Sequence, residues 1–418
     1  MTESNYRTLT KKEIVSKDLA SPQIITQPYH HISHSHISKN ALSVIRRLHA
    51  ADYEAYLVGG SVRDLLLGNK PKDFDVATNA RPEKIRELFK NCRLIGRRFK
   101  LAHVFFGREI IEVATFRRSH PEQDHPDAYH SETGLLVRDN VYGTLRDDAW
   151  RRDFSINALY YNPANHSVVD YVDGMTDLEK RIIRILGDPQ VRYTEDPIRM
   201  LRSLRFAAKL NFTLEEKTAA PISTMRTLLT QVPSARLFTE ILKFFYCGQA
   251  VQALKLAREF QIFELLFPQT HQAISYQENK AQYLTFLSKS CESTDERISQ
   301  DLSLNPGFLF AALLWPALQM YIHHYTKQGA KPYVAFEKSM QELVSQQLKI
   351  VAIPKRYTAI MREIWVLQRI MEKKKHNKID WITAHLRFRA AYDFLVLRWI
   401  SGEEFLEPVV SKWKIYKK

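Results

Sequence analysis

The chain has 418 residues, 45% hydrophobic and 26% charged, enough to bury a large core and to divide into two or more domains. Its formal net charge of +15 points to a polyanionic partner, nucleic acid before a membrane surface. Three distant cysteines without CxxC spacing argue for neither a disulfide framework nor a zinc site, and Cys92, Cys247 and Cys291 are expected to be buried, inert thiols.

In chain order, residues 1–33 are polar and aperiodic, and a disordered tail is expected. His30, His31, His34 and His36 lie around its end without acidic or cysteine partners, which argues against a metal site. Nothing at the start reads as a signal peptide. The longest apolar run, 308–318, is short and broken by Pro316, so a cytoplasmic protein without a membrane segment is expected. Ser38 is a good N-cap for a helix through "SKNALSVIRRLHAA", and "EAYLVGG" reads as a buried strand ending in a glycine turn. "SVRDLLLG" is a helix closed by Gly68, "DFDVAT" a short strand and "PEKIRELFK" a further helix. "AHVFFG" and "EIIEVATF" form a strand pair turning at Gly107 and Arg108, and 117–133 is an aperiodic loop. From "DPQVRYTEDPIRMLRSLRFAAKL" onward the spacing is helical. The expected fold is α+β: a head with a small mixed sheet flanked by helices, then all-helical neck, body and tail.

Asp73 and Asp75 share one face of their strand while Phe74 and Val76 point into the core. Two neighbouring carboxylates repel unless cations sit beside them, and carboxylate oxygens suit Mg²⁺. Gly59 and Gly60 let the backbone approach a ligand, Ser61 opens a helix whose N-terminus favours phosphate, and Arg63 adds positive charge. Glu112 supplies a third carboxylate in an otherwise apolar strand, the alternative being a solvent-exposed glutamate on an edge strand. Each element alone is common, but their combination in one strand–turn–helix–strand unit describes a metal–triphosphate site.

"LVGGSVRDLLLG", "KDFDVATNA", "EVATFR", "RRDFSINALYY" and "YTEDPIRMLRSLRFAAKL" resemble the head of the class II nucleotidyltransferases, the group of tRNA CCA-adding enzymes and bacterial poly(A) polymerases. "NCRLIGRRFKLAHVFFG", "SLNPGFLFAALLWP", "AIPKRYTAIMREIWVLQRIM" and "RFRAAYDFLVLR" resemble the poly(A) polymerase branch, so the likeness runs from Ser38 to Arg398. One departure is that the chain closes on "SKWKIYKK", where that branch often carries a long basic tail. The resemblance implies a catalytic head at 34–186, a neck at 187–268 and an RNA-binding body and tail at 269–418. It implies that Asp73 and Asp75 hold two Mg²⁺ ions, with Glu112 or Asp153 as the further catalytic carboxylate and Arg152 and Asn157 on phosphate and ribose. The alternative for the last two is a capping or surface role on a helix begun by "FSINAL".

Asp196 is read as N-cap with Pro197 at N1, Ile198, Leu201 and Leu204 as a buried stripe, and Arg199, Arg202 and Arg205 as a stripe beside it. By resemblance, Asp196, Arg199 and Arg202 belong to the nucleotide site, the first two reading the base edge; which base they select is open. Lys355, Arg356, Lys373, Lys374 and Lys375 are candidate RNA contacts among interleaved Tyr357, Trp365 and Trp381, with both tryptophans expected in the core. The expected activity is Mg²⁺-dependent transfer of adenylate from ATP to RNA 3′ ends by a monomer, a modification that promotes RNA decay; accessory decay factors are left open. CCA addition to tRNA and a noncatalytic RNA-binding role are the alternatives. No His-Asp doublet is present, so a second, hydrolytic activity is not expected.

Overall fold

A computed structural model describes residues 21–96, 100–118, 128–130, 136–139, 141–276, 279–373 and 379–416. They form two compact units. The first runs to Asp196 and takes in Thr213–Thr218; the second is Pro197–Phe212 with Ala219–Lys418.

The first unit is built on strands β1 (Gln23–Thr26), β2 (Ala55–Val58), β3 (Asp75–Thr78), β4 (Cys92–Ile95), β5 (Leu101–Phe106), β6 (Glu109–Thr115), β7 (Ala128–His130), β8 (Leu136–Asp139), β9 (Leu159–Asn162), β10 (Ser167–Asp170), β11 (Ile182–Ile183) and β12 (Thr213–Leu214). Eight form one mixed sheet in the order β1-β10-β9-β2-β3-β6-β5-β4, antiparallel throughout except for the β3–β6 pair. Central β3 has Val76, Ala77 and Thr78 all buried, as a strand covered on both faces requires. Ser38 caps the helix Lys39–His49, which buries Leu42, Ile45 and Leu48 at helical spacing. The helix Gly60–Leu66 ends before Gly68, whose φ of +75° closes it.

Three expectations change here. Part of the tail expected to be disordered is ordered: β1 adds an edge to the sheet by pairing with β10. Buried His30 anchors it, its Nε2 lying 2.8 Å from the His166 carbonyl. Residues 1–20 lie outside the described residues. Within 117–133, Arg117 forms a bridge to Tyr142 and β7 pairs with β8, while most of that stretch lies outside the described residues. "FSINAL" begins no α-helix: Ser155–Asn157 is one 3₁₀ turn leading into β9.

The second unit is helical around Pro306–Lys327, whose residues from Leu309 to Leu318 are all buried. Pro316 does not break this helix. Proline removes one N–H and displaces nearby carbonyls, and neighbouring side chains donate into the preceding turns: Trp365 Nε1 to Ala311 O at 3.2 Å and Thr270 Oγ1 to Leu313 O at 2.8 Å. Among the described residues no helix is long and apolar enough to cross a membrane. Cys291 is buried, while Cys92 and Cys247 are half-buried; burial raises all three thiols.

Candidate active site

The turn after β2 determines where the backbone can be approached. Gly59 has φ +76° and ψ −134°, a region costly for any residue with a Cβ, and a Cβ there would lie 3.4 Å from Arg152 Nη1. Gly59 itself is the N-cap, so the seven-residue helix starts at Gly60 rather than at Ser61. Ser61 is buried and its hydroxyl donates to Val58 O at 3.1 Å, joining the turn to the strand that precedes it. Arg63 also differs from expectation. It is 2% exposed, pairs with Asp64 through Nε at 2.9 Å and Nη2 at 2.7 Å, and donates from Nη1 to Asn157 Oδ1 at 2.7 Å. Its charge is committed to bracing the turn.

The carboxylates meet through strand register. Asp75 opens β3 directly opposite Glu112 on β6, and Glu112 stands opposite His103 on β5. Asp73 lies exposed just ahead of β3, and buried Phe74 and Val76 hold the intervening backbone against the core. Glu112 belongs to an interior strand, yet its side chain is 47% exposed, with His103 Nε2 3.2 Å away. The solvent-facing alternative thus describes its exposure but not its strand. Burial first, then the charges of Glu112 and Asp73, push the Asp75 carboxyl up to about 6 against the pull of Arg152.

This shift fixes a pH dependence. The unfolded carboxyl ionises near 3.8 and the folded one near 6, so the metal-free fold loses stability as pH rises through that window. Asp75→Asn is expected to raise metal-free stability by roughly 2–3 kcal/mol at pH 8 and to have little effect at pH 4. Denaturant melts in chelator at both pH values check this; an equal effect at both would contradict it.

Arg152 is held by groups that sequence reading missed. Its Nε and Nη2 donate to Asp148 Oδ2 at 3.2 and 2.9 Å, Nε also donates to Tyr160 Oη at 2.9 Å, and the Tyr160 hydroxyl donates to Asp148 at 2.6 Å. Burial opposes the Asp148 charge, but the Arg152 guanidinium and Tyr160 hydroxyl hold its carboxyl below the usual range. The i,i+4 spacing of Asp148 and Arg152 was a readable signal. Asp153 braces the neighbouring turn, its Oδ1 accepting from Phe154 N at 2.9 Å and Asn157 Nδ2 at 3.2 Å. Asn157 therefore links Asp153 to Arg63 from a buried position.

Asp75, Glu112 and Asp73 are thus electrostatically coupled, with Arg152 opposing them, while Ser61, Arg63, Asp153 and Asn157 form the supporting frame. Among the described residues no three His, Cys, Asp or Glu side chains make a ready metal cage. Mg²⁺ does not require one, since it commonly takes one or two carboxylates and completes its shell with water and phosphate oxygens.

Asp196 is the C-cap of the helix Pro189–Glu195, not the N-cap of the next. Pro197, with φ −58° and ψ −22°, is the cap of Ile198–Leu210. The earlier Asp-Pro pair makes the cap that Asp196 does not, Asp188 accepting from Gln190 N and Val191 N. Ile198, Leu201 and Leu204 are buried, and Arg199 and Arg202 are half-buried beside them, Arg202 lying 5.6 Å from the Phe206 ring centre. Lys355, Arg356 and Lys373 are exposed, Arg356 over the Tyr357 ring at 4.6 Å; Lys374 and Lys375 lie outside the described residues. Trp365 is core as expected, but Trp381 is 53% exposed.

Comparison with known proteins bears on most of the chain. Residues 55–184 match the Poly A polymerase head domain, 211–274 the probable RNA and SrmB-binding site of polymerase A, and 328–418 the polymerase A arginine-rich C-terminus. A Poly(A) polymerase I of Salmonella typhimurium is 47% identical over 394 residues, 93% of this chain and 84% of the relative. The chain belongs to the poly(A) polymerase family. A CCA-adding enzyme of Lactobacillus helveticus shares 38% identity over 224 residues, 54% of each chain. The fold extends further than the sequence likeness. A tRNA nucleotidyltransferase solved with a primer tRNA and an incoming ATP analog aligns with TM-score 0.61 at 23% identity, covering 89% of this chain and 98% of that one.

Proposed function

We propose that this polynucleotide adenylyltransferase joins ATP to an RNA 3′-hydroxyl at the strand entrance where Asp75 on β3 meets Glu112 on β6, with Asp73, Asp75 and Glu112 as the catalytic carboxylates. The products are RNA longer by one adenylate and pyrophosphate. The observation that carries the reading is the Asp75–Glu112 register, which sets two like charges side by side on β3 and β6. Such repulsion suits a site that works with a divalent cation. The donor set fits magnesium: hard carboxylate oxygens, two of them on Asp73 and Asp75 at one strand entrance. Two Mg²⁺ ions bound there would lower the pKa of the 3′-hydroxyl and neutralise the departing pyrophosphate.

The remaining residues position. Gly59 and Gly60 admit the triphosphate close to the main chain, where Arg152 Nη1 lies beside the turn and can clamp a phosphate oxygen. Asp148 and Tyr160 keep that guanidinium in place. Asn157 meets the ribose from a frame completed by Asp153 and Arg63. Asp196 and Arg199 read the base edge with Arg202 also in the nucleotide site, and the exposed Lys355, Arg356 and Lys373, with Lys374 and Lys375, hold the RNA backbone. The head at 34–186, neck at 187–268 and body and tail at 269–418 divide these roles. Tailing by this enzyme serves RNA decay.

Glu112→Gln and Asp153→Asn separate the carboxylate roles. Glu112→Gln is expected to lower kcat by about 10²-fold and to raise the Mg²⁺ concentration needed for half activity. Asp153→Asn is expected to lower activity mainly through KM for ATP, with the Mg²⁺ requirement unchanged. Steady-state kinetics over a magnesium titration decide; a shifted Mg²⁺ midpoint in Asp153→Asn alone would transfer the third-carboxylate role to Asp153.

A further inference from the structure

Strand register sets a row of polar side chains across the head sheet. Arg93 on β4 stands opposite His103 on β5, His103 opposite Glu112 on β6, and Glu112 opposite Asp75 on β3. Directly paired residues share a face of the sheet, so all four project to one side. Their strand neighbours Val76, Ala102, Val104, Ile111 and Val113 alternate onto the other side and are buried. His103 is the member of this row whose presence the strand itself does not explain. Its side chain is 14% exposed, and its Nε2 is buried 3.2 Å from Glu112 Oε1, out of line for a hydrogen bond and without another partner among the described residues. A buried nitrogen with its hydrogen bond unmade is costly, and an apolar residue like Leu101 and Phe105 on the same strand face would avoid that cost.

Glu112 needs what His103 can offer. Its side chain is 47% exposed, and a solvated glutamate samples many rotamers, whereas a carboxylate that acts beside Asp75 must face one way. We propose that His103 is a positioning residue for Glu112: its Nε2–H donates to Oε1 and so turns the other carboxylate oxygen toward the reacting centre. A small rotation of the glutamate brings the two atoms into line, and hydrogen bonds of this kind are often poorly aligned in a free enzyme and tighten with substrate. Phe105 packs beside the imidazole, ring centres 6.3 Å apart, and restricts its swing. Because Nε2 is buried, His103 acts through Glu112 and not on nucleotide or RNA. The inference rests on the reading of Glu112 as a catalytic carboxylate and assigns the group that orients it.

The test compares His103→Leu, His103→Gln, Glu112→Ala and the double variant His103→Leu/Glu112→Ala in the full chain. Three readouts are taken: steady-state ATP addition, equilibrium binding of Mn²⁺ alone by electron paramagnetic resonance, and thermal melts. His103→Leu is expected to lower kcat by about 10-fold with KM for ATP unchanged, to weaken Mn²⁺ binding, and to leave the thermal midpoint equal or higher because the unmet nitrogen is gone. His103→Phe replaces it should the leucine variant melt early. His103→Gln keeps an N–H donor near the Nε2 position and should restore kcat to within about threefold of the parent. In the double variant kcat should equal that of Glu112→Ala, since a residue that acts through Glu112 then has nothing to orient. Parent-level kcat and Mn²⁺ affinity in His103→Leu overturn the proposal, as do equal losses in His103→Leu and His103→Gln, or losses that multiply in the double variant. Parent-level turnover by Glu112→Ala would overturn the carboxylate reading and the proposal together, whereas an impaired Glu112→Ala beside a fully active His103→Leu removes the proposal alone.

Discussion

Asp75→Asn is expected to abolish adenylate addition for practical purposes, lowering kcat by about 10³-fold or more while the protein stays folded. Asn keeps the volume and one carbonyl oxygen of Asp but removes the charge. In the metal-free protein that charge is a liability, because burial and the neighbouring Glu112 and Asp73 lift its carboxyl to about 6. The variant should therefore be at least as stable as the parent in chelator at pH 8, and loss of turnover cannot then be assigned to unfolding. Rapid-quench kinetics with saturating ATP and RNA give the comparison, and turnover within tenfold of the parent would remove Asp75 from the mechanism.

The second large effect concerns Asp148. Removing one partner of a buried ion pair leaves the other charge without compensation, so Asp148→Ala is expected to cost about 3–5 kcal/mol. Arg152 loses its acceptor, Tyr160 loses the carboxylate to which it donates, and the guanidinium beside the Gly59 turn is no longer fixed. Activity should fall chiefly through KM for ATP. The double variant Asp148→Ala/Arg152→Leu should recover much of the stability and none of the activity. Urea melts of both variants check the first claim and initial rates the second; an Asp148→Ala cost below about 1 kcal/mol would show that the pair does not hold the site together.

What could be read from the sequence followed local physics. Alternation along "DFDVAT" placed Phe74 and Val76 inside, and Ser38 capped its helix, because both depend only on near neighbours. The β1 strand was not readable: its burial comes from Ile25 alone, and its order depends on β10 some 140 residues later. Arg63 looked available for phosphate because its second partner, Asn157, is 94 residues away in the chain. Asp196 looked like a cap because a proline follows it, but its backbone N–H closes the preceding helix on Arg192 O and Pro197 is the cap of the next. Glu112 was found as an isolated charge in an apolar strand, whereas its pairing with Asp75 required the parallel register of β3 and β6.

The most direct test of the account is which nucleotide is added and how often. Purified protein is given a short unstructured RNA and each nucleoside triphosphate separately with Mg²⁺, and the products are sized. ATP should be strongly preferred over CTP and should extend the strand by many residues, since no assigned residue counts additions. Arg199→Ala should lose ATP preference as well as rate, because a site that hydrogen-bonds a base edge rejects the wrong base by leaving buried polar groups unpaired. Efficient CTP incorporation that stops at a fixed short length would contradict the account.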